Sequence, residues 1–85
     1  MGDAEILARI TEVVRDELDD DGIQLTMDTI AKQVDGWDSL AHVRIVVAVE
    51  RAFGAHFDTR DITALENVGD LVRLCHQHAS VGSVG

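Results

Sequence analysis

The 85-residue sequence has no apolar run long enough to cross a membrane, and it has few basic residues. A membrane-spanning helix needs about 20 consecutive apolar residues, and the opening Met1-Gly2-Asp3 does not resemble a signal peptide. Seven basic residues stand against sixteen acidic ones, giving a formal net charge of −9. Such a charge repels phosphate backbones and anionic lipids. We therefore expect neither a nucleic acid nor a membrane as a partner.

Cysteine and alternating apolar patterns are also scarce. Cys75 is the only cysteine, which excludes an internal disulfide and is typical of a reducing compartment such as the cytoplasm. We expect it to be a small core residue and not a catalytic thiol. No segment alternates apolar and polar residues as a half-buried strand does. A chain of this length forms one domain with a modest core, which we expect to be a monomer.

Four segments carry apolar residues at helical spacing, which predicts an all-α fold. The predicted helices cover about residues 4–18, 39–53, 59–65 and 67–78. The first loop is long and the other connections are short, so we expect a small antiparallel bundle of three main helices plus one short helix. Residues 1–79 would form this domain, and residues 80–85, which are Ser, Val and Gly, a disordered tail.

The second predicted helix is the most apolar part of the chain. Its apolar residues recur at three- and four-residue steps, which predicts that one helical face is lined by Leu40, Val43, Val46, Val47 and Phe53. Gly36 permits a tight turn before the helix, and Asp38 can cap it by accepting a backbone N–H bond. Ser39 then lies in the first turn with its hydroxyl toward water, where the positive end of the helix dipole favours an attached anion.

An acidic segment, Asp19-Asp20-Asp21-Gly22, follows the first predicted helix. Carboxylates oppose the dipole at a helix C-terminus, and Gly22 can supply the left-handed residue that ends the helix. The acidic positions between Glu17 and Asp28 also match part of an EF-hand calcium loop. Two interpretations remain open, a solvated acidic turn and a cation-binding helical interaction module, and we expect no dedicated metal site.

Side chains beside Ser39 suggest alternatives to a simple exposed serine. His42 follows Ser39 by three residues, and Asp38 directly precedes Ser39. A serine nucleophile with a histidine base would need such neighbours. However, an adjacent Asp38 cannot easily orient His42, and no oxyanion hole or strand–elbow–helix context is evident. We therefore predict no catalytic residue. Trp37, the only tryptophan, is either an anchor for the loop or a contact surface for a partner.

The run Asp38-Ser39-Leu40 and its flanks resemble the acyl and peptidyl carrier proteins. The resemblance extends from about residue 6 to residue 78 and includes Glu-Arg-Ala-Phe-Gly at 50–54 and Asn-Val-Gly-Asp-Leu at 67–71. It implies a covalent 4′-phosphopantetheine arm on Ser39, with Asp38 helping to position the serine and a metal ion during attachment. It also implies two kinds of partner: a phosphopantetheinyl transferase, and enzymes that load, condense or tailor acyl or aminoacyl groups.

The second helix departs from the carriers of fatty acid synthesis, which usually have several acids after the serine. Ala41, Arg44 and Arg51 stand at such positions here, and Glu50 is kept. Positive charge would repel basic docking patches, which favours polyketide or other specialised biosynthesis over fatty acid synthesis. We expect the partner surface to comprise Trp37, His42, Arg44, Glu50 and Arg51. We expect the face on which the arm or its cargo rests to comprise Leu40, Val43, Val47 and Ile62.

Overall fold

The computed structural model describes the backbone of residues 2–84 and the side chains of residues 2–78. Its helices are α1 (Asp3–Leu18), a 3₁₀ turn (Ala31–Gln33), α2 (Ser39–Phe53), α3 (Thr59–Thr63) and α4 (Val68–Val84). The helix α1 packs against both α2 and α4. No strand occurs among the described residues. The predicted fold, with three long helices, one short helix and a long first connection, is confirmed.

The helix boundaries follow from local capping groups. The helix α2 spans the predicted residues, while α3 ends two residues early and α4 starts one residue late, after Asn67. The amide oxygen of Asn67 accepts a 2.9 Å hydrogen bond from the Asp70 N–H, as an N-cap residue does. The helix α4 continues to Val84, beyond the predicted end at 78. The side chains from residue 79 onward and all of Gly85 lie outside the described residues, so the disordered tail at 80–85 stays a prediction.

The core is formed by aliphatic side chains from the three long helices and from the first loop. Its most buried members are Ile6, Ile10 and Val14 of α1, Ile45 and Val49 of α2, and Val72 and Cys75 of α4. Ile23 and Leu25 join this core from the loop. Each fully buried aliphatic side chain stabilises the fold by about 1.5–3 kcal/mol relative to an exposed one. The loop therefore contributes to the core instead of merely spanning it.

The five apolar residues predicted to line one face of α2 do not share one environment, because three of them are exposed while Val46 is buried. Leu40, Val43 and Val47 are exposed, at 69, 61 and 40 % of their full area. The helix instead buries Ala41, Ile45 and Val49, at steps of four residues, together with Val46. Because α2 is apolar almost all round, its periodicity permits two stripes on roughly opposite sides. The stripe that becomes buried is the one that packs against α1. The sequence of α2 alone does not show which stripe that is.

The long first loop is fixed to the start of α4 by two backbone hydrogen bonds. The Val68 N–H donates to the Thr29 carbonyl at 2.8 Å, and the Gly69 N–H donates to the Met27 carbonyl at 2.7 Å. These bonds satisfy N–H groups that have no partner within the helix itself. A Cβ atom on Gly69 would lie only 2.7 Å from the Met27 carbonyl oxygen. The absence of a side chain at residue 69 is thus what allows the loop to lie this close.

The acidic segment after α1 adopts a helix-ending turn. Asp19, not Gly22, is the left-handed residue, with φ of 52°, so the expectation for Gly22 was wrong. An aspartate tolerates this conformation better than most residues. The Asp20 N–H donates to the Arg15 carbonyl and closes the turn. The Arg15 guanidinium in turn donates to the Ile23 carbonyl at 2.7 Å, which holds the following loop against α1.

Candidate functional site at the start of helix α2

Ser39 is the first residue of α2, and its side chain is exposed. Gly36 has a positive φ of 88°, which turns the chain into the helix. Asp38 caps the helix, because its Oδ1 accepts a 2.8 Å hydrogen bond from the Ala41 N–H. The Ser39 hydroxyl has no hydrogen-bond partner among the described side chains. The structure therefore presents a free hydroxyl at the positive end of a helix, a favourable place for an attached phosphate.

Trp37 and His42 form a pair across this helix start. The indole Nε1–H of Trp37 donates to Nδ1 of His42 at 3.2 Å, and the two rings stack with centroids 6.2 Å apart. Because an indole N–H can only donate, Nδ1 must be unprotonated, and the proton of the neutral ring lies on Nε2. Trp37 is also half-buried and packs against the core. The pair therefore anchors the loop to α2 and fixes the orientation of the His42 ring.

An open groove of about 350 Å³ lies beside the serine, lined by Ala31, Trp37, Asp38, Ser39 and His42. A much smaller cavity of about 40 Å³ lies next to it and shares Ala31, Trp37 and His42 as lining residues. Leu65, Val68 and Leu71 provide its apolar wall. The Trp37–His42 pair thus borders both spaces.

The outward face of α2 is a separate surface, which we define as Leu40, Val43, Arg44, Val47 and Arg51. All five side chains are exposed, and the two arginines lie seven residues apart, or about two helical turns. Neither arginine makes an ion pair within the described part of the chain. The structure therefore brings together an apolar strip and two positive charges without ion-pair partners, which the sequence analysis had assigned to two separate surfaces.

Four residues of the predicted partner surface and cargo face lie apart from the outward face: Trp37, His42, Glu50 and Ile62. His42 is half-buried against Trp37. Glu50 points toward the α2–α3 connection, where its Oε2 accepts a 2.8 Å hydrogen bond from the Phe57 N–H and lies 3.5 Å from Nδ1 of His56. Its side chain is only 17 % exposed, so Glu50 supports the connection. Ile62 lies on α3, half-buried against the core.

The geometry argues against a hydrolytic triad. In a triad the histidine Nδ1–H donates to a carboxylate, whereas Nδ1 of His42 accepts from Trp37 and Oδ1 of Asp38 accepts from Ala41 N–H. Cys75 is fully buried, and burial raises the pKa of its thiol to about 12. A thiol with so high a pKa is a poor nucleophile.

No metal site is formed by the acidic loop or elsewhere in the described residues. No three of their His, Cys, Asp or Glu side chains are placed to hold a metal ion. Glu17 remains within α1, and Oδ1 of Asp20 accepts from the Gly22 N–H. The arrangement is that of a helix end, and nothing in it favours a twelve-residue cation loop.

Two features of this site were not predicted from the sequence. The Trp37–His42 hydrogen bond joins residues five apart across a helix start, for which no simple spacing rule exists. The closeness of Gly69 to the Met27 carbonyl depends on a contact between distant segments. The only signal in the sequence was the presence of a glycine inside a predicted helix, which often marks close backbone approach.

Comparisons with known proteins agree with this geometry. Residues 4–75 match the protein family described as "Phosphopantetheine attachment site". The chain is also similar to the holo acyl carrier protein of Geobacter metallireducens, whose solution NMR structure superposes with a TM-score of 0.85. The two sequences are 35 % identical, and the match covers 91 % of this chain and 88 % of that one.

No helix in the described part of the chain is long and apolar enough to cross a membrane. The exposed serine at the start of α2 lies inside the matched range of residues 4–75, and the whole bundle corresponds to that of an acyl carrier protein. The chain therefore belongs to the phosphopantetheine-attachment family of carrier proteins, which bear a covalent 4′-phosphopantetheine arm.

Proposed function

We propose that the oxygen of Ser39 carries the phosphopantetheine arm. The observation that supports this most strongly is the exposure of a hydroxyl without a hydrogen-bond partner at the first residue of α2. A phosphodiester esterified there would lie at the positive end of the helix dipole, and the open groove leaves space around it. The residues present thus fit the group. Ser39 acts as a tether, and the chemistry comes from the arm, whose terminal thiol holds cargo as a thioester.

Asp38 would assist the attachment step. In that step the Ser39 oxygen would bond to the phosphorus next to the pantetheine of coenzyme A, the pyrophosphate bond would break, and adenosine 3′,5′-bisphosphate would leave. A phosphopantetheinyl transferase with Mg²⁺ would catalyse the step and take up the hydroxyl proton. Oδ1 of Asp38 is held by the Ala41 N–H, which fixes the carboxylate directly beside the serine. A fixed carboxylate is a suitable ligand for Mg²⁺. Leu40, the next residue, is the most exposed large apolar side chain in the described part of the chain and would contact the transferase.

The cargo we propose is an acyl group, carried for polyketide or another specialised biosynthesis in the cytoplasm. Similarity to a holo acyl carrier protein supports acyl cargo over aminoacyl cargo. The outward face of α2, with Arg44 and Arg51 unpaired, supports partner enzymes whose docking surface combines apolar groups with an acidic rim. Tethering raises the effective concentration of the cargo at each of these enzymes. A peptidyl carrier is the alternative, distinguished by the mass of the group released from protein purified from its native host.

Attachment at Ser39 is tested by incubation with coenzyme A and a transferase of broad specificity, followed by intact-mass measurement. We expect the mass to rise by one phosphopantetheine group. The chain has three serines, at 39, 80 and 83, so a matched pair of variants is possible. Ser39→Ala should gain nothing, whereas the double variant S80A/S83A should gain as much as the wild type. A gain that persists in Ser39→Ala would overturn the assignment.

A further inference from the structure

Two surfaces meet at Ser39, and they differ in what they offer to a group attached there. One is the outward face of α2, which is apolar and positively charged. The other is the groove of Ala31, Trp37, Asp38, Ser39 and His42. Because Ser39 is itself a lining residue of the groove, a group esterified to its oxygen is attached next to this space. The outward face, by contrast, does not include the serine.

We propose that this groove is the resting site of the phosphopantetheine arm, with the Trp37 ring as its apolar wall and Nε2–H of His42 as a hydrogen-bond donor to the phosphate. The proposal depends on attachment at Ser39. It places the arm between the loop and α2, and not along the face of Leu40, Val43, Val47 and Ile62 expected from the sequence.

The donor follows from the Trp37–His42 hydrogen bond. The indole holds Nδ1 unprotonated, so Nε2 carries a proton. That N–H has no acceptor among the described residues, while a phosphodiester offers acceptor oxygens with a negative charge, which makes strong hydrogen bonds. Asp38 is the only lining residue with a full charge, and its carboxylate repels the phosphate. We therefore expect the phosphate to bond with His42.

The size of the groove suits the arm and not a long acyl chain. A volume of about 350 Å³ is at the lower end of small-molecule sites, which span roughly 300–1,000 Å³. The adjoining cavity of about 40 Å³ has room for only a few atoms. The indole ring provides a broad apolar surface for the methyl groups and methylenes of pantetheine. The thiol end and its cargo would remain outside the groove.

Trp37 is the only tryptophan, so its fluorescence reports on the groove directly. We compare the protein before and after modification, with the mass gain confirmed on the same sample, and measure collisional quenching by acrylamide. An arm in the groove should reduce the quenching constant roughly twofold, since ligands in such sites bury most of their surface against the lining. Ser39→Ala, treated identically, should show no change.

Nuclear Overhauser contacts from the methyl groups of the arm give the second readout. We expect contacts with the rings of Trp37 and His42. Contacts with Val43 and Val47, together with unchanged quenching, would overturn the groove as the resting site of the arm. Attachment at Ser39 would still stand. A wild-type chain that gains no mass would instead overturn the attachment, and the role of the groove with it.

Two variants of His42 separate hydrogen bonding from a purely structural role. His42→Gln keeps an N–H donor, whereas His42→Leu does not. In the modified His42→Leu protein the phosphorus NMR signal should move toward that of the same phosphodiester in the modified tryptic peptide of residues 33–44, where no fold holds it. In His42→Gln the signal should stay closer to that of the wild type. Helicity by circular dichroism confirms that both variants fold. Identical phosphorus signals in the wild type and both folded variants would contradict the proposed bond.

Discussion

The two faces of α2 carry similar apolar side chains but have different neighbours. The inner face, with Ile45 and Val49, is completely buried against the other long helices, while Leu40 and Val43 on the outer face are more than half exposed. Side-chain type alone therefore does not define the core. The inner face holds the bundle together, and the outer face is left available for other molecules.

The largest difference between the faces should appear in stability. Ile45→Ala, on the inner face, should lower the free energy of unfolding by about 2–5 kcal/mol, because it removes buried methyl groups and leaves a cavity. Leu40→Ala removes as many carbon atoms from the outer face and should change it by less than about 0.5 kcal/mol. Urea denaturation of both variants measures this. Equal losses would show that the outer face is not exposed in solution.

The next largest loss of stability should come from displacing the first loop, which packs on the core beside the inner face of α2. Gly69→Ala places a Cβ atom 2.7 Å from the Met27 carbonyl oxygen, so the loop must shift. We expect a loss of about 1–3 kcal/mol in the free energy of unfolding, as for other overpacked sites. Trp37 should also become more accessible to acrylamide, since the same loop carries it.

The control for that variant is Gly2→Ala, because a Cβ atom on Gly2 would meet nothing within 4 Å. Gly2 is the N-cap residue of α1, where alanine is less favourable than glycine, so we expect a loss of less than about 1 kcal/mol in the free energy of unfolding. Quenching of Trp37 should not change. If Gly69→Ala left both the free energy of unfolding and Trp37 quenching unchanged, the loop would not be held against α4 as the structure shows.

A smaller effect is expected at the helix start that both faces share. Asp38→Ala removes the acceptor of the Ala41 N–H and should cost about 1 kcal/mol, as is typical of an N-cap. Asp38→Asn keeps an acceptor oxygen and should retain most of the stability. If Asp38 also assists the transferase, both variants should be modified more slowly, because neither has a carboxylate. Normal modification of Asp38→Asn would exclude that role.

The smallest effect on stability should come from the arginines of the outer face. In the wild type, Arg44 and Arg51 make no ion pair within the described residues. The variants Arg44→Glu and Arg51→Glu should therefore keep the free energy of unfolding within about 0.5 kcal/mol of the wild type. Their effect should appear in kcat/KM of a cognate acyl-transferring enzyme, which we expect to fall roughly tenfold at low salt and less at high salt.

Arg9→Glu on α1 is the matched control, because it makes the same charge change away from the outer face. Its side chain lies over the Phe53 ring, 5.8 Å from the centroid. We expect it to leave kcat/KM nearly unchanged. An equal loss in all three variants would indicate a response to net charge instead of docking at α2.

Local signals account for the parts of the structure that the sequence predicted. Asp38 and Gly54 define the ends of α2 through bonds and backbone angles that involve only nearby residues, so its boundaries were predicted correctly. The exposure of Ser39 follows from its position after the cap. The choice of buried face on α2 required knowledge of α1, and the docking of the loop on Gly69 required knowledge of α4. Contacts between distant segments were thus the part that patterns could not supply.

The central claim is that Ser39, and no other residue, holds the arm. Trypsin cleaves after Lys32 and Arg44, so digestion of the modified protein yields a peptide of residues 33–44 in which Ser39 is the only serine and no threonine occurs. We predict that fragmentation mass spectrometry locates the phosphopantetheine on this peptide. Finding it on residues 74–85, which contain Ser80 and Ser83, or finding peptide 33–44 unmodified in a protein that has gained the group, would contradict the account.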